Sequence, residues 1–395
     1  SDKNTEGNMK LLKLTICGLP NFKDTLDLDF VAQQRVNDRD KEKLYNVFSN
    51  IYVNEAISFI GINASGKTTI LKAVSFAVSL LNNEAINSIK TKEILDDLQE
   101  GQTVTLTAYF YANSLVSKLE TIISKRINDL DGSAKFIITD ERLWSKDSQK
   151  IKLKKNLFEF SDSELKIRRD QKEQFLMEDV SIIIAVNKEN DSHFFLHDML
   201  RWTNHNIIGI LGRFPKELLM FLDPSIEYLR GDVNDKVTDI QLKFYGKEEI
   251  SINNPLMLEH YLSSGTIKGL TVFMNALFSF YEGGYLLIDE IENHFNEEIV
   301  VTLVRFFLDK KVNKNGATII FSTHYSELID EFERNDGIYI VRNRGGIEAE
   351  KLSNILKRND IKKSEAYDSG FLEGTVPAYE AYMALKKVLI SMQEE

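Results

Sequence analysis

Apolar and polar residues alternate through LKLTICGLPNFKDTLDLDF near the start of the chain. That period of two predicts half-buried strands at Leu11 to Ile16 and Leu26 to Phe30, joined by a turn at Pro20–Asn21. The charged stretch from Val31 to Asn50 reads as a loop or an exposed helix. An apolar run, Ile57 to Ile60, follows, and Ile70, Leu71, Val74 and Ala77 then share one helical face. Thr103 to Tyr111 reads as a strand. Apolar residues at 115, 119, 122, 123, 127 and 130 have helical spacing and predict a helix over Leu115 to Leu130. Short strands are expected at Lys135 to Ile138, Lys155 to Phe160 and Leu165 to Ile167. Phe175 to Val186 and Phe194 to Leu222 read as mostly helical, and Ile226 to Leu229 and Val237 to Tyr245 as strands.

The pattern sharpens towards the C-terminus. Leu270 to Phe280 and Ile299 to Phe307 are helical, Tyr285 to Ile288 and Thr318 to Ser322 are buried strands, and Gly337 to Val341 is a further strand. Helices alternating with strands predict a parallel α/β sheet. Ala378 to Met392, just after Pro377, is an amphipathic helix suited to packing on its own domain or on a partner. No sustained heptads mark a coiled-coil arm.

Composition narrows the class. The chain has 395 residues, 43% of them hydrophobic, enough for a large core. Its one cysteine, Cys17, excludes an internal disulfide and a cysteine-based zinc site. No apolar run approaches membrane-span length, and the polar start SDKNTEGNMK lacks the apolar core of a signal peptide. A cytoplasmic protein without a membrane role is the expectation. The net charge of −11 disfavours a protein that coats DNA, although a local basic stripe could still bind nucleic acid.

The chemistry concentrates in four stretches. Gly61 to Thr68, GINASGKT, satisfies the phosphate-loop pattern between a predicted strand and helix. Gly61, Asn63, Ala64, Ser65, Gly66, Lys67, Thr68 and Thr69 are the candidate nucleotide-binding residues. Their backbone N–H groups and the helix N-terminus suit phosphate oxygens. Lys67 would reach the β/γ-phosphates and Thr68 would hold Mg²⁺. Tyr285 to Glu290, YLLIDE, ends an apolar strand in two carboxylates, with Asp289 as the second metal residue and Glu290 as general base. Ile319 to His324, IIFSTH, places His324 at another strand end as a sensor of the γ-phosphate. Leu262 to Thr266, LSSGT, opens a helix and offers a second anion site at Ser264 and Gly265.

In chain order, GINASGKT, LSSGT, YLLIDE and IIFSTH, the four stretches resemble the ABC-type ATPases. Among these the chain looks least like a transporter subunit, more like the RecF/SMC-related group, and most like the stand-alone bacterial ATPases of the OLD and abortive-infection families. The opening hairpin, IDEIENHFN with Asn293 and His294, and FSTHYSELID carry that resemblance over roughly residues 10–80 and 255–345. It implies an ABC-type P-loop NTPase core: a mixed sheet flanked by helices, an antiparallel β subdomain, and an α/β insert between Walker A and the signature. The implied division is 1–90 with Walker A, 91–250 as insert, 251–345 with signature, Walker B and switch histidine, and 346–395 as an extension. It further implies ATP with Mg²⁺, catalysis by Lys67, Glu290 and His324, and a homodimer whose Lys67 and Thr68 face Ser264 and Gly265 of the other copy. A separate effector or toxin in anti-phage defence is the implied partner, and a RecF/SMC-like DNA clamp is the competing reading.

The chain departs from the family at LSSGT, where Ser264 replaces a glycine. Gln99 and Gln102 are only positional candidates for a Q-loop. Too little chain follows His324 for a Toprim nuclease, so none is predicted. His193 and His197 lack the H-E-x-x-H pattern and read as structural. The basic stretch of Lys150, Lys152, Lys154 and Lys155 with Lys166, Arg168 and Arg169 is interleaved with Glu159, Asp162, Glu164 and Asp170 and reads as a solvated face.

Overall fold

The computed structural model describes residues 9–127, 132–169, 176–210, 212, 214–234, 237–293, 295–376 and 379–392. The start SDKNTEGNMK as far as Asn8, Leu130, Phe175, His294, Pro377 and Ala378 lie outside them. The fold is mixed α/β and rests on two six-stranded sheets.

The central sheet runs in the order Leu196–Asp198, Tyr285–Ile288, Thr318–Thr323, Ala56–Ile60, Ile338–Asn343 and Ile347–Lys351. Its first five strands are parallel and the last is antiparallel. Near-continuous apolar runs are needed here because both faces are covered. Ile57 and Phe59 pack under the second sheet together with helix Lys67–Leu81. Ala56 and Ile60 pack on the opposite side, with helices Ser264–Glu282 and Glu297–Leu308.

The second sheet is antiparallel: Leu26–Asp29, Lys10–Cys17, Thr103–Ala112, Leu115–Ile127, Ala134–Asp147 and Leu165–Arg168. It bears out the opening hairpin, with Lys13 opposite Asp29. It overturns the helix expected from Leu115. That segment is a strand whose buried positions alternate, Ser117, Leu119, Thr121 and Ile123. Two of those four are hydroxyl residues, so the apolar positions alone mimicked a period near 3.6. The hydroxyls are satisfied across the strand pair: Ser117 Oγ lies 2.8 Å from Ser145 Oγ, and Thr121 Oγ1 donates to Glu141 at 2.7 Å.

Glu141 is fully buried and also accepts from Ser181 Oγ at 2.6 Å and from the Ile182 N–H at 2.8 Å. Burial raises its pKa, against the pull of these donors and Arg169. Glu141→Ala strands two hydroxyls and removes the carboxylate that faces Arg169, and is expected to destabilise the fold by about 3 kcal/mol. A lowered urea midpoint in the purified variant would check this; an unchanged midpoint would refute it.

Three further expectations fail for local reasons. Lys155 to Phe160 is a turn and loop, not a strand. Lys146 Nζ takes the carbonyls of Asn156, at 2.7 Å, and of Glu159, so they do not join a ladder. Within Phe194 to Leu222, residues Leu196–Asp198 form the edge of the central sheet, because Phe195 and Leu287 carbonyls are taken across that edge. From Leu176, regular helix begins only at Ile183. The charged stretch after Val31 holds a short turn at Asp40–Glu42 and a small hairpin, Tyr45–Phe48 with Ile51–Val53. Ile226–Asn234 and Val237–Phe244 pair as strands. Helix Tyr379–Ser391 forms as expected and has no buried residue. No described helix is long and apolar enough to cross a membrane.

Candidate nucleotide site

The central sheet explains why residues far apart in sequence meet. Ile60, Ile288, Thr323 and Asn343 end neighbouring parallel strands, and ligands of open α/β sheets bind beyond such carboxyl ends. A cavity of about 550 Å³ lies there, lined by Asn63 to Thr69 together with Glu290 and His324. Asn21, Asn343 and Ile347 complete its wall.

The loop's shape depends on two glycines. Gly66 has φ of +103°, and a Cβ there would lie 2.6 Å from the Ile347 side chain. A Cβ on Gly61 would lie 2.4 Å from the Val341 carbonyl. Bulkier residues would push the loop off the sheet. Lys67 opens its helix and is buried, its Nζ donating to the carbonyls of Gly61 at 2.8 Å and Ile62 at 3.1 Å. Burial draws the Lys67 ammonium below its usual pKa, while Glu290, Glu292 and Asp289 oppose that shift.

Thr68 Oγ1 donates to Asp289 Oδ2 at 2.6 Å. The other Asp289 oxygen accepts from Ser322 Oγ at 2.5 Å, and Ser322 Oγ accepts from the Glu290 N–H at 2.7 Å. This hydroxyl fixes Glu290, which has the left-handed φ of +45°. A non-glycine residue there costs on the order of 1 kcal/mol, so its neighbours must impose it. Glu290 Oε2 accepts from Asn293 Nδ2 at 2.5 Å, and Oε1 lies 3.4 Å from His324 Nε2. Partial burial would raise the Glu290 pKa. Hydrogen bonds from Asn293 and His324, with the charges of His324 and Lys67, outweigh it and hold the carboxyl below its usual range. His324 Nδ1 lies 3.3 Å from Lys67 Nζ, and the His324 N–H donates to Glu292 Oε1 at 2.6 Å.

The residue set fits a magnesium–nucleotide group. Ser65 Oγ in the loop is buried without a partner among the described residues. Thr68 and Asp289 supply the hard oxygen atoms that Mg²⁺ prefers.

Ser264 and Gly265 do not line this cavity. Ser263 caps their helix, its Oγ accepting from the Thr266 N–H at 3.0 Å, and Ser264 is exposed in the first turn. Gln99 and Gln102 also lie elsewhere, bonded to each other at 3.0 Å. His193 stacks edge-on against Phe195, and His197 Nε2 lies 2.9 Å from Glu282 Oε2. No group of three or more metal-ligating side chains occurs among the described residues. Ser322, Glu292 and Asn343 were missed in the sequence. Ser322 carried a faint signal, as the polar residue inside the buried run IIFST.

Fold and site together define a P-loop ATPase. Residues 57–330, more than half of the chain, match the family model described as "AAA domain, putative AbiEii toxin, Type IV TA system". The chain belongs to that family. No curated protein matches it.

Proposed function

We propose that the chain is an ABC-type ATPase that works as a nucleotide-driven dimer switch in the cytoplasm, in bacterial defence against phage. The observation that supports this best is the convergence of Lys67, the Thr68–Asp289 pair, Glu290 and His324 on one cavity. Ser264 and Gly265 meanwhile stand at a helix start outside that cavity. A site whose signature residues lie elsewhere is half a site, and a second copy would bring them to it.

Each residue then has a role. Gly61 to Thr69 would cradle the triphosphate of ATP, with Lys67 turned from the loop carbonyls to the β/γ-phosphates. Thr68 and Asp289 would hold Mg²⁺, which would neutralise phosphate charge. Glu290 would accept the proton of the attacking water, and its depressed pKa keeps it ionised at neutral pH. His324, between Lys67 and Glu290, would sense whether a γ-phosphate is present. Ser264 and Gly265 of the partner copy would close the site.

The lobes 1–90 and 251–345 carry these parts in this reading, with 91–250 as an insert and 346–395 as an extension. A separate effector or toxin protein is the partner in this reading, in keeping with the toxin–antitoxin wording of the family description, and kinship with OLD and abortive-infection ATPases rests on the sequence resemblance. A RecF/SMC-like DNA clamp is the other reading, disfavoured by the net charge of −11.

A pull-down with tagged Glu290→Gln protein and ATP separates the two. A stoichiometric protein partner supports the defence switch; DNA alone supports the clamp. A second expectation concerns Ser322. Ser322→Ala removes the hydroxyl shared by Asp289 and Glu290 and should lower kcat about tenfold, with ATP affinity changed less than about twofold. Steady-state rates and equilibrium binding would check it, and wild-type kcat would remove Ser322 from the mechanism.

A further inference from the structure

Lys268 lies on helix Ser264–Glu282, one turn after Ser264 and on the same face. It is 4% exposed. Its Nζ sits 5.7 Å from the Trp202 ring centroid and 5.2 Å from that of Phe295. Its hydrogen bond runs out of the helix, to the Asn293 carbonyl at 2.7 Å. Burial lowers its pKa to about 8, with Glu292, Glu290 and Asp289 opposing, so the ammonium stays charged at neutral pH. A buried lysine spent on a loop carbonyl is a costly way to pack a helix, and replacement by an apolar residue would be cheaper.

The carbonyl it holds belongs to the residue that holds the proposed base. Asn293 Nδ2 donates to Glu290 Oε2 at 2.5 Å, and the Asn293 N–H donates to the Glu290 carbonyl at 2.9 Å. A continuous path therefore runs from the first turn of the helix through Lys268 and Asn293 to the Glu290 carboxylate.

We propose that Lys268 is a positioning residue that couples the two ATP sites of the dimer, by tying the partner-facing turn at Ser264–Gly265 to the same chain's Glu290 through Asn293. This rests on the two-site reading above. In that geometry, Ser264 and Gly265 of one chain meet the nucleotide held by the other. Glu290 of the first chain acts on the nucleotide held by its own loop. A shift of the helix at the first site moves Lys268, and Lys268 moves the segment that aims Glu290 at the second. Closure at one site is thereby registered at the other, as coupling through a continuous hydrogen-bonded network requires.

The test compares wild type, Lys268→Met, Lys268→Arg and Asn293→Ala in steady-state turnover against ATP concentration. Sedimentation with ATP reports dimer formation in parallel. Wild type should dimerise and show sigmoidal kinetics. Lys268→Met should still bind ATP and dimerise, with kcat about tenfold lower and the Hill coefficient reduced to about one. Lys268→Arg retains the donor and should recover most of both. Asn293→Ala cuts the same path at an exposed side chain, so it decides the matter if Lys268→Met fails to fold. Wild-type kcat and Hill coefficient in Lys268→Met or Asn293→Ala would overturn the coupling, as would hyperbolic kinetics in a dimeric wild type. A wild type that stays monomeric with ATP would instead overturn the two-site reading beneath it.

Discussion

Lys67→Ala is expected to abolish measurable ATP binding and to lower turnover at least about a hundredfold. The side chain is buried at the floor of the cavity, and its Nζ is within 3.3 Å of His324 Nδ1. Alanine removes the one lysine among the described residues that line the loop cavity, and with it one of the charges that act on Glu290. Loss of a charge-assisted contact in a partly desolvated site costs about 3 kcal/mol or more, and about 1.4 kcal/mol is a factor of ten. Lys67 also makes two hydrogen bonds to the loop, so Lys67→Arg is a useful companion. It keeps the charge but cannot reproduce the compact ammonium geometry, and should recover little activity. Fluorescent-nucleotide titration and phosphate release are the measurements. Binding within about threefold of wild type would remove Lys67 from the proposed phosphate site.

Glu290→Gln is expected to separate binding from chemistry. The amide keeps the size of the side chain and still accepts one hydrogen bond from Asn293. It cannot take a proton from water, so turnover should fall by about two to three orders of magnitude while ATP affinity stays the same or tightens. With hydrolysis blocked, the ATP-bound state accumulates, and the protein should sediment as a dimer with ATP and as a monomer without it. In wild type, the low Glu290 pKa has a consequence for pH. The base is already ionised at neutral pH, so activity should be lost on acidification only below the ordinary carboxylate range. Wild-type turnover in Glu290→Gln would sink the general-base role, and an unchanged sedimentation coefficient with ATP would count against the switch.

Asn293→Ala tests how that low pKa is made. Its amide is the first of the groups that lower the Glu290 pKa, ahead of His324 and Lys67. Any acid limb in the kcat profile should therefore move to higher pH in this variant.

Much of the central sheet was legible in the chain because local and tertiary demands agree there. A strand covered on both faces must be mostly apolar, and Ile57 to Ile60, Tyr285 to Ile288 and Ile319 to Phe321 are, with Ser58 the polar exception in the first. The antiparallel sheet was harder to read. In Leu115–Ile127 the inward positions include Ser117 and Thr121, which are tolerated only because Ser145 and Glu141 wait on the next strand. A partner twenty or more residues away leaves no trace in local periodicity. The same holds for Leu196–Asp198, whose conformation is set by the free edge beside Tyr285–Ile288.

The sequence by itself determined the phosphate loop and the residue types for ATP chemistry. GINASGKT, the carboxylates of LLIDE and the histidine of STH each follow from a short pattern whose backbone geometry is local. Only the tertiary structure decided how those pieces meet. Sheet order sets Thr68 Oγ1 against Asp289, inserts Ser322 between the two carboxylate residues, and leaves Ser264 and Gly265 outside the cavity. It also turned Lys268, an unremarked residue of an apolar helix, towards the segment that holds Glu290. The physical reason is that strand order and helix packing are settled by burial summed over the whole chain, and that sum is not contained in any window of it.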